Sequence, residues 1–299
     1  MCRLTSKISA LLEKNPFLLV VVGVLGVSLS SIFVRLSDAP TIVIACCRLL
    51  WTVLLMTPFV WSRASFRKEL LSLPFRQILL SITSGIFLAI HFALWFESLK
   101  QTSVASSTAI VCTEVVWVAI GYGMFLKGKV TLRAIICIAI ALVGSLVIAF
   151  SDSGQSGSHL YGDLLSLLAA ISVAVYTLLG KSARTTMSAS AYTYLVYCAC
   201  ALCLVAWASL QYTVKDFAFD AIQAGFLLAV FSTLMGHSIF SWCLKYFSPT
   251  FLSASRLCEP VIAAIFATFL FHEIPDILQI TGGLIVLTGV YLYSKEEQQ

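Results

Sequence analysis

Long apolar runs alternate with short polar breaks along the whole chain, and this pattern predicts the secondary structure. A helix needs about 20 apolar residues to cross a hydrocarbon core of roughly 30 Å, and ten runs come close to that length. They span residues 16–34, 41–61, 77–97, 102–125, 132–150, 161–180, 190–210, 222–244, 249–271 and 277–293. We therefore expect an all-α integral membrane protein with ten transmembrane helices.

Composition supports the same class. Hydrophobic residues make up 60% of the 299 residues and charged residues only 11%, with a mean hydropathy of +0.97. Soluble domains carry about 25% charged residues, so an ordinary soluble domain is excluded and the lipid bilayer is the expected partner. The net charge of +5 lies in short clusters between apolar runs, which does not predict a nucleic-acid partner.

The ten cysteines do not indicate a disulfide framework or a metal site. Nearly all of them lie inside apolar runs, where a free thiol behaves as a small hydrophobic group. Cys198, Cys200 and Cys203 crowd one run, but no second pair of metal ligands follows at a suitable spacing. We expect no metal and no cofactor.

The distribution of basic residues predicts the topology. If the N-terminus is cytoplasmic, most of the 19 Lys and Arg residues face the cytoplasm, and the outer loops hold only Arg35, Lys100 and Lys215. Arg48 and Arg256 fall within spans. The positive-inside rule then places both termini on the cytoplasmic side of the cell membrane. A cleaved signal peptide is the alternative for the first run, but that run exceeds a signal core and we expect it to be retained.

The two halves of the chain are related by an internal repeat. An offset of 145 positions aligns them without a gap across three helices. The aligned pairs include Lys100 with Lys245, Ala109 with Ala254, Glu114 with Glu259 and Gly144 with Gly289. We place the repeats at 13–152 and 159–295. Because each contains five helices, an odd number, the second enters the membrane from the opposite side, and the fold is an inverted repeat with its substrate site near the midplane.

These features resemble the drug/metabolite transporter superfamily, specifically its EamA-type ten-helix carriers, over essentially the whole chain. The resemblance lies in Phe92-Ala-Leu-Trp-Phe-Glu-Ser-Leu-Lys100, Ser255-Arg-Leu-Cys-Glu-Pro-Val261, Phe271-His-Glu273 and the glycine-rich 282–289 stretch. It implies a secondary transporter of small organic solutes, such as amino acids, nucleobase-like metabolites or amphiphilic drugs, commonly an exporter. The first half departs from the pattern, with Val115 in place of proline and a 127–129 loop without glutamate.

Four ionisable residues within the spans are the first candidates for substrate binding and translocation. Glu114 and Glu259 are predicted near the midplane, Arg256 shares a helix face with Glu259, and Arg48 lies about seven residues into its helix. A charge at that depth costs roughly 2.5 to 3.5 kcal/mol, so each is a functional candidate. Arg48 is placed to reach Glu114 or a substrate carboxylate. The alternative is that these charges only neutralise one another and hold the helices together.

Two histidines and two tryptophans extend the candidate site. His91 and His237 lie at similar depths, where each is a candidate to bind solute or relay a proton, or simply to bond a neighbour. Trp95 and Trp117 lie deep enough to line a path for planar solutes, or else only pack.

A secondary transporter is therefore the predicted function, with a membrane-embedded enzyme or a channel-like facilitator without proton coupling as alternatives. The sequence contains no His-Glu-x-x-His, nucleophile elbow or phosphate-binding loop, so we do not expect an enzyme. Protons are a candidate coupling ion, because desolvation favours the neutral form of a buried glutamate. The solute, the direction of flux and the oligomeric state stay open.

The topology yields a first prediction. A fluorescent protein fused after Gln299 should fluoresce in intact cells, because that end is predicted to lie in the cytoplasm. Alkaline phosphatase fused after Lys215 should be active, because that loop is predicted to lie on the outer side of the membrane. A fusion of alkaline phosphatase after Lys129 is the matched control and should be inactive. Labelling that places the two termini on different faces of the membrane would contradict the inverted repeat.

Overall fold

The fold is a bundle of ten long helices, as the apolar runs predict. The computed structural model of the protein describes residues 16–102, 104–151, 160–271 and 275–298, and all regular structure within these ranges is helical. Seven of the long helices are continuous: α1 (Pro16–Arg35), α2 (Thr41–Ser62), α3 (Phe75–Gln101), α5 (Leu132–Ser151), α6 (Leu160–Ala183), α7 (Ala189–Gln211) and α10 (Ile277–Glu297). A short helix, Ala64–Leu71, lies between α2 and α3.

The other three long helices are built from shorter segments. They are α4 (Val104–Cys112 and Glu114–Leu126), α8 (Phe219–Leu227, Leu228–His237 and Ser238–Cys243) and α9 (Pro249–Ser255, Arg256–Cys258 and Glu259–Phe271). Within the described ranges, nine helices are long and apolar enough to cross a membrane, and the apolar stretch Leu132–Ile148 of α5 supplies a shorter tenth. The predicted ten-helix architecture is confirmed, with ends shifted by only a few residues.

The interruptions in α4 and α9 have local causes at matching positions of the repeat. In α4, Thr113 is bonded to the carbonyl of Ile110 three residues back, which breaks the α-helical ladder. In α9, a 3₁₀ turn, Arg256–Cys258, precedes Pro260. Proline has no amide hydrogen, so the Arg256 carbonyl instead accepts from the amide of Glu259 and from the thiol of Cys112 (3.7 Å).

A π-helical segment, Leu228–His237, widens the middle of α8. The hydroxyl of Thr233 donates to the carbonyl of Leu228 and that of Ser238 to the carbonyl of Thr233, each five residues back. Gly26 of α1 lies against this segment, where a Cβ would meet the Phe231 carbonyl oxygen at 2.7 Å. Such segments are rare and often occur at functional sites.

The contact between α5 and α10 shows how the two halves are related. Gly144 lies against the backbone of Gly282 and Val286, and Gly289 lies against the backbone of Cys137 and Ala141. The repeat offset of 145 converts the first set of contacts into the second: Gly144 corresponds to Gly289, and Gly282 and Val286 correspond to Cys137 and Ala141. A pseudo-two-fold axis therefore passes between α5 and α10. The pairing runs antiparallel, and a two-fold axis that relates antiparallel helices is perpendicular to them. The axis therefore lies in the membrane plane, as an inverted repeat requires.

Contacts elsewhere follow the same symmetry. The pairing of α3 with α6 is matched by that of α8 with α1, and the pairing of α2 with α8 by that of α7 with α3. Phe92 and His237 are repeat equivalents and touch each other, with ring centres 5.5 Å apart. The axis thus passes through the centre of the bundle. The repeat limits, 13–152 and 159–295, stay a prediction, and residues 13–15, 152 and 159 lie outside the described ranges.

The α5–α10 contact generates a second prediction. In Gly144→Ala and Gly289→Ala a new Cβ would lie 2.6 to 2.7 Å from backbone atoms of the facing helix, so each should lose about 1 to 3 kcal/mol of stability. Gly123→Ala is the control, because the nearest atom to its Cβ, the Gly128 carbonyl oxygen, is 3.9 Å away. Thermal unfolding of the purified protein measures the difference. Equal midpoints for all three variants would refute the packing.

Candidate functional site

Three charged side chains meet at the centre of the bundle. Nη1 of Arg256 donates to both carboxylate oxygens of Glu114 (3.0 and 2.9 Å), and Nε of Arg256 donates to Glu259 (2.6 Å). Glu114 is 1% exposed and Glu259 6% exposed. One guanidinium therefore bridges two buried acids, and we call Glu114, Arg256 and Glu259 the charge cluster. With both acids ionised it carries one excess negative charge.

The helix interruptions position the two acids. Glu114 begins the second segment of α4 directly after Thr113, and Glu259 begins the last segment of α9 directly after the 3₁₀ turn. Each is ten residues from the start of its helix, which corresponds to about 15 Å of rise and places both near the midplane. A segment N-terminus also favours negative charge, because its amide groups point toward it.

The cluster is symmetric in its acids and asymmetric in its base. At the offset of 145, Glu114 corresponds to Glu259, but Arg256 corresponds to Val111. The second half alone supplies the guanidinium, which pairs with its own Glu259 and with Glu114 of the first half. The Arg256–Glu114 ion pair therefore connects the halves across their interface.

Arg48 occupies a separate position. It is completely buried, with Nε donating to the hydroxyl of Thr233 (2.7 Å) and Nη1 to that of Ser30 (3.2 Å). Its guanidinium carbon lies 4.2 Å from the centre of the Phe92 ring. The expectation that Arg48 reaches Glu114 is not met among the described contacts, since Glu114 is bonded by Arg256. Arg48 points toward α1 and α8 instead.

The two histidines differ in their surroundings. His91 is buried, and its Nδ1 donates to the carbonyl of Ala169 (3.0 Å), so its neighbours hold it in place. His237 lies at the end of the π-helical segment and lines a small cavity of about 20 Å³ together with Glu114, Tyr176 and Arg256. This cavity has room for about one water molecule. The charge cluster thus borders a narrow polar space at the pseudo-two-fold axis.

The tryptophans contribute less to this space. Trp95 is buried and stacks on His91 with ring centres 5.8 Å apart, and its Nε1 has no hydrogen-bond partner among the described residues. Trp117 is partly buried, one turn beyond Glu114. Glu273, part of the motif that carried the family resemblance, lies outside the described residues.

A larger cavity lies between α1, α2, α7 and α8. Its volume is about 560 Å³, and its lining includes Leu19, Met56, Leu234 and Trp242. The polar side chains in its lining are the hydroxyls of Ser190, Thr193 and Ser238. The lining comes from the beginnings of α1 and α7 and the ends of α2 and α8, so the cavity occupies the half of the bundle in which α1 begins. We call it the apolar cavity.

Glu114 and Glu259 were predicted to lie at similar depths, and the structure brings them together, but the sequence did not predict how they are connected. The local pairing of Arg256 with Glu259 was predicted from their spacing and is confirmed. The link from Arg256 to Glu114, the π-helical segment and Thr233 as a partner of Arg48 were not predicted. Pro260 was a signal for the interruption in α9, whereas nothing at Thr113 marks the one in α4.

Comparisons with known proteins agree on the class of molecule. A model of the EamA-like transporter family matches residues 15–150 and again 160–295. An uncharacterized transporter of Archaeoglobus fulgidus is 24% identical, over 72% of this chain and 75% of its own length. The uncharacterized transporter YxxF of Bacillus subtilis is 25% identical over 73% of this chain and 70% of its own. A solved crystal structure, 13% identical, superposes with a TM-score of 0.77 over 95% of this chain and 98% of its own, which shows a shared fold.

The charge cluster generates a third prediction. Arg256→Gln should destabilise the protein by about 3 to 5 kcal/mol, because it leaves two buried acids without an opposite charge. Adding Glu114→Gln and Glu259→Gln to Arg256→Gln should recover much of that loss, since no buried charge remains. Thermal unfolding of the purified wild type, Arg256→Gln and the triple variant tests both statements. If the triple variant is no more stable than Arg256→Gln, charge pairing is not what holds this site together.

Proposed function

The chain belongs to the EamA-like transporter family, and from that premise we propose a secondary transporter that moves a small organic solute across the cell membrane by alternating access. It is a multi-pass membrane protein, and the names of its relatives indicate transport and not enzymatic catalysis. The single observation that carries the proposal is the Arg256–Glu114 pair, a charged contact between the halves beside a polar cavity. A solute or ion that competes for this contact would loosen the two halves.

The inverted repeat supplies the two states that alternating access needs. When two halves are related by an axis in the membrane plane, exchanging their conformations converts a state open to one face into a state open to the other. The apolar cavity, of about 560 Å³, lies in the half of the bundle in which α1 begins. A smaller cavity of about 190 Å³, bordered by Ile148 and Gln279, lies in the opposite half, where Thr102 at the end of α3 is also bonded to Asp163 of α6 (2.9 Å). If the N-terminus is cytoplasmic as predicted, this arrangement favours loading from the cytoplasm and therefore export.

Proton coupling follows from the charge of the cluster. One guanidinium cannot neutralise two carboxylates, and an uncompensated charge at the midplane is costly. A proton on one acid removes the excess charge and weakens its ion pair with Arg256. We infer that protonation accompanies the conformational change, with a channel-like facilitator without such coupling as the alternative.

Counterflow in proteoliposomes tests the function. Vesicles loaded with unlabelled amino acids, nucleobases or 4-phenylbutyrate receive a trace of the same labelled compounds outside, and protein-free vesicles serve as the blank. A carrier transiently accumulates the labelled compound that belongs to the class it transports. This happens because unlabelled solute leaving the vesicle brings the binding site back to the outer face, where it binds label again. Equilibration without overshoot indicates a channel, and a chemically altered label indicates an enzyme.

Variants of the two acids connect the function to the site. Glu114→Gln and Glu259→Gln should each reduce counterflow at least about tenfold, a change of about 1.4 kcal/mol, while the protein still folds. Arg133→Gln is the control. The Arg133 side chain is exposed, and its ion pair with Glu296 is long, at 3.9 Å, so its loss should have little effect. In the wild type, an imposed pH gradient should change the uptake rate. Full activity in both acid variants would exclude the charge cluster as the site, and indifference to pH would exclude proton coupling.

A further inference from the structure

Arg48 is a buried cation that forms no ion pair with any residue in the described ranges. Among the described residues, the ion pairs involve Arg256 and Arg133, and Arg48 takes part in neither. Two of its nitrogens donate to hydroxyls, and the third, Nη2, is buried without a hydrogen-bond partner. Hydroxyls satisfy donors but do not neutralise charge, so the guanidinium retains its full positive charge at 0% exposure.

A purely structural role does not account for this residue. The bonds to Ser30 and Thr233 tie α2 to α1 and α8, but a neutral amide makes the same kind of bond without the desolvation cost of a charge. A guanidinium is favoured where a carboxylate has to be held, because its planar fork matches the two oxygens. The Phe92 ring beneath it holds the fork in a fixed plane.

The apolar cavity reaches this residue through a short chain of contacts. The hydroxyl of Ser238, in the cavity wall, meets the hydroxyl of Tyr197 (3.0 Å) and donates to the carbonyl of Thr233 (3.1 Å). The hydroxyl of Thr233 in turn accepts from Arg48. Along α2, Met56 of the cavity lies two turns from Arg48. Separation of Tyr197 from Ser238 would open the cavity toward the guanidinium.

We propose that the solute is a carboxylate with an apolar body, held by Arg48 at its charged end and by the apolar cavity along its length. The cavity volume of about 560 Å³ is in the range of small-molecule sites, and its lining of aliphatic and aromatic side chains with three hydroxyls suits an apolar body. Nη2 binds one carboxylate oxygen, and Nη1 binds the other when Ser30 yields. The inference rests on the proposed transport function and names its substrate class.

The test measures binding of small probes to the purified full chain in lipid nanodiscs. The change in tryptophan fluorescence reports the binding. Three probes share one apolar body and differ at the end: 4-phenylbutyrate, 4-phenylbutanol and 4-phenylbutylammonium. The carboxylate should bind at least about tenfold more tightly than the alcohol, because a charged hydrogen bond contributes about 1.5 to 3 kcal/mol. Empty nanodiscs correct for partition into lipid.

Four variants make the result specific. Arg48→Gln should abolish the preference for the carboxylate, Arg48→Lys should keep part of it, and Arg133→Gln should keep all of it. Met56→Phe narrows the cavity, adds no tryptophan and leaves Arg48 in place, so it should weaken all three probes alike and remains informative if Arg48→Gln does not fold. Equal binding of carboxylate and alcohol to the wild type, or an unchanged preference in Arg48→Gln, would overturn the proposal, as would occupation of the cavity by lipid that no probe displaces.

Binding and transport can fail separately. A chain that binds 4-phenylbutyrate through Arg48 but shows no counterflow would retain this site and lose the transport function. A chain that shows counterflow with other solutes and no preference at Arg48 would retain the transport function and lose this substrate class.

Discussion

The pairing of one guanidinium with two carboxylates is the constraint on which the centre of this protein depends. Arg256, Glu114 and Glu259 lie at the depth where a bilayer offers no water, so each charge requires a partner within hydrogen-bond distance. Because one acid comes from each half, satisfying them with a single base draws the halves together. Two carboxylates and one guanidinium leave one negative charge in excess. The Arg256–Glu114 ion pair, which connects the halves, is therefore a contact that protonation of Glu114 would weaken.

Symmetry and asymmetry have different roles in this structure. The repeat supplies a matched scaffold, seen in the exchanged glycine contacts of α5 and α10, the facing pair Phe92 and His237, and the interruptions before both acids. A matched scaffold allows two conformations of similar energy. The two buried arginines lie where the halves differ, Arg256 in the second half and Arg48 in the first, and their repeat equivalents are Val111 and Thr193. These differences make the two halves chemically unlike, although their backbones correspond.

The two central arginines are in opposite situations. Arg256 has more negative charge around it than it can neutralise, whereas Arg48 has hydroxyls and an aromatic face but no carboxylate among its described contacts. Phe92 contacts both Arg48 and His237, and His237 borders the cavity of the charge cluster. The unpaired guanidinium and the acid-rich cluster are therefore connected through Phe92 and His237.

The sequence by itself determined the ten helices, the inverted repeat and the placement of Glu114 and Glu259 at matching mid-helix depths, because hydrophobic length, the odd helix count and position along a helix are local or additive properties. It also determined the pairing of Arg256 with Glu259, since residues three apart share a helix face. Only the tertiary structure decided that Arg256 also binds Glu114, that Arg48 faces Thr233 and Ser30, and that α8 contains a π-helical segment. Those outcomes depend on helix rotation and close approach, such as Gly26 against α8, which neighbouring helices set and apolar periodicity does not encode.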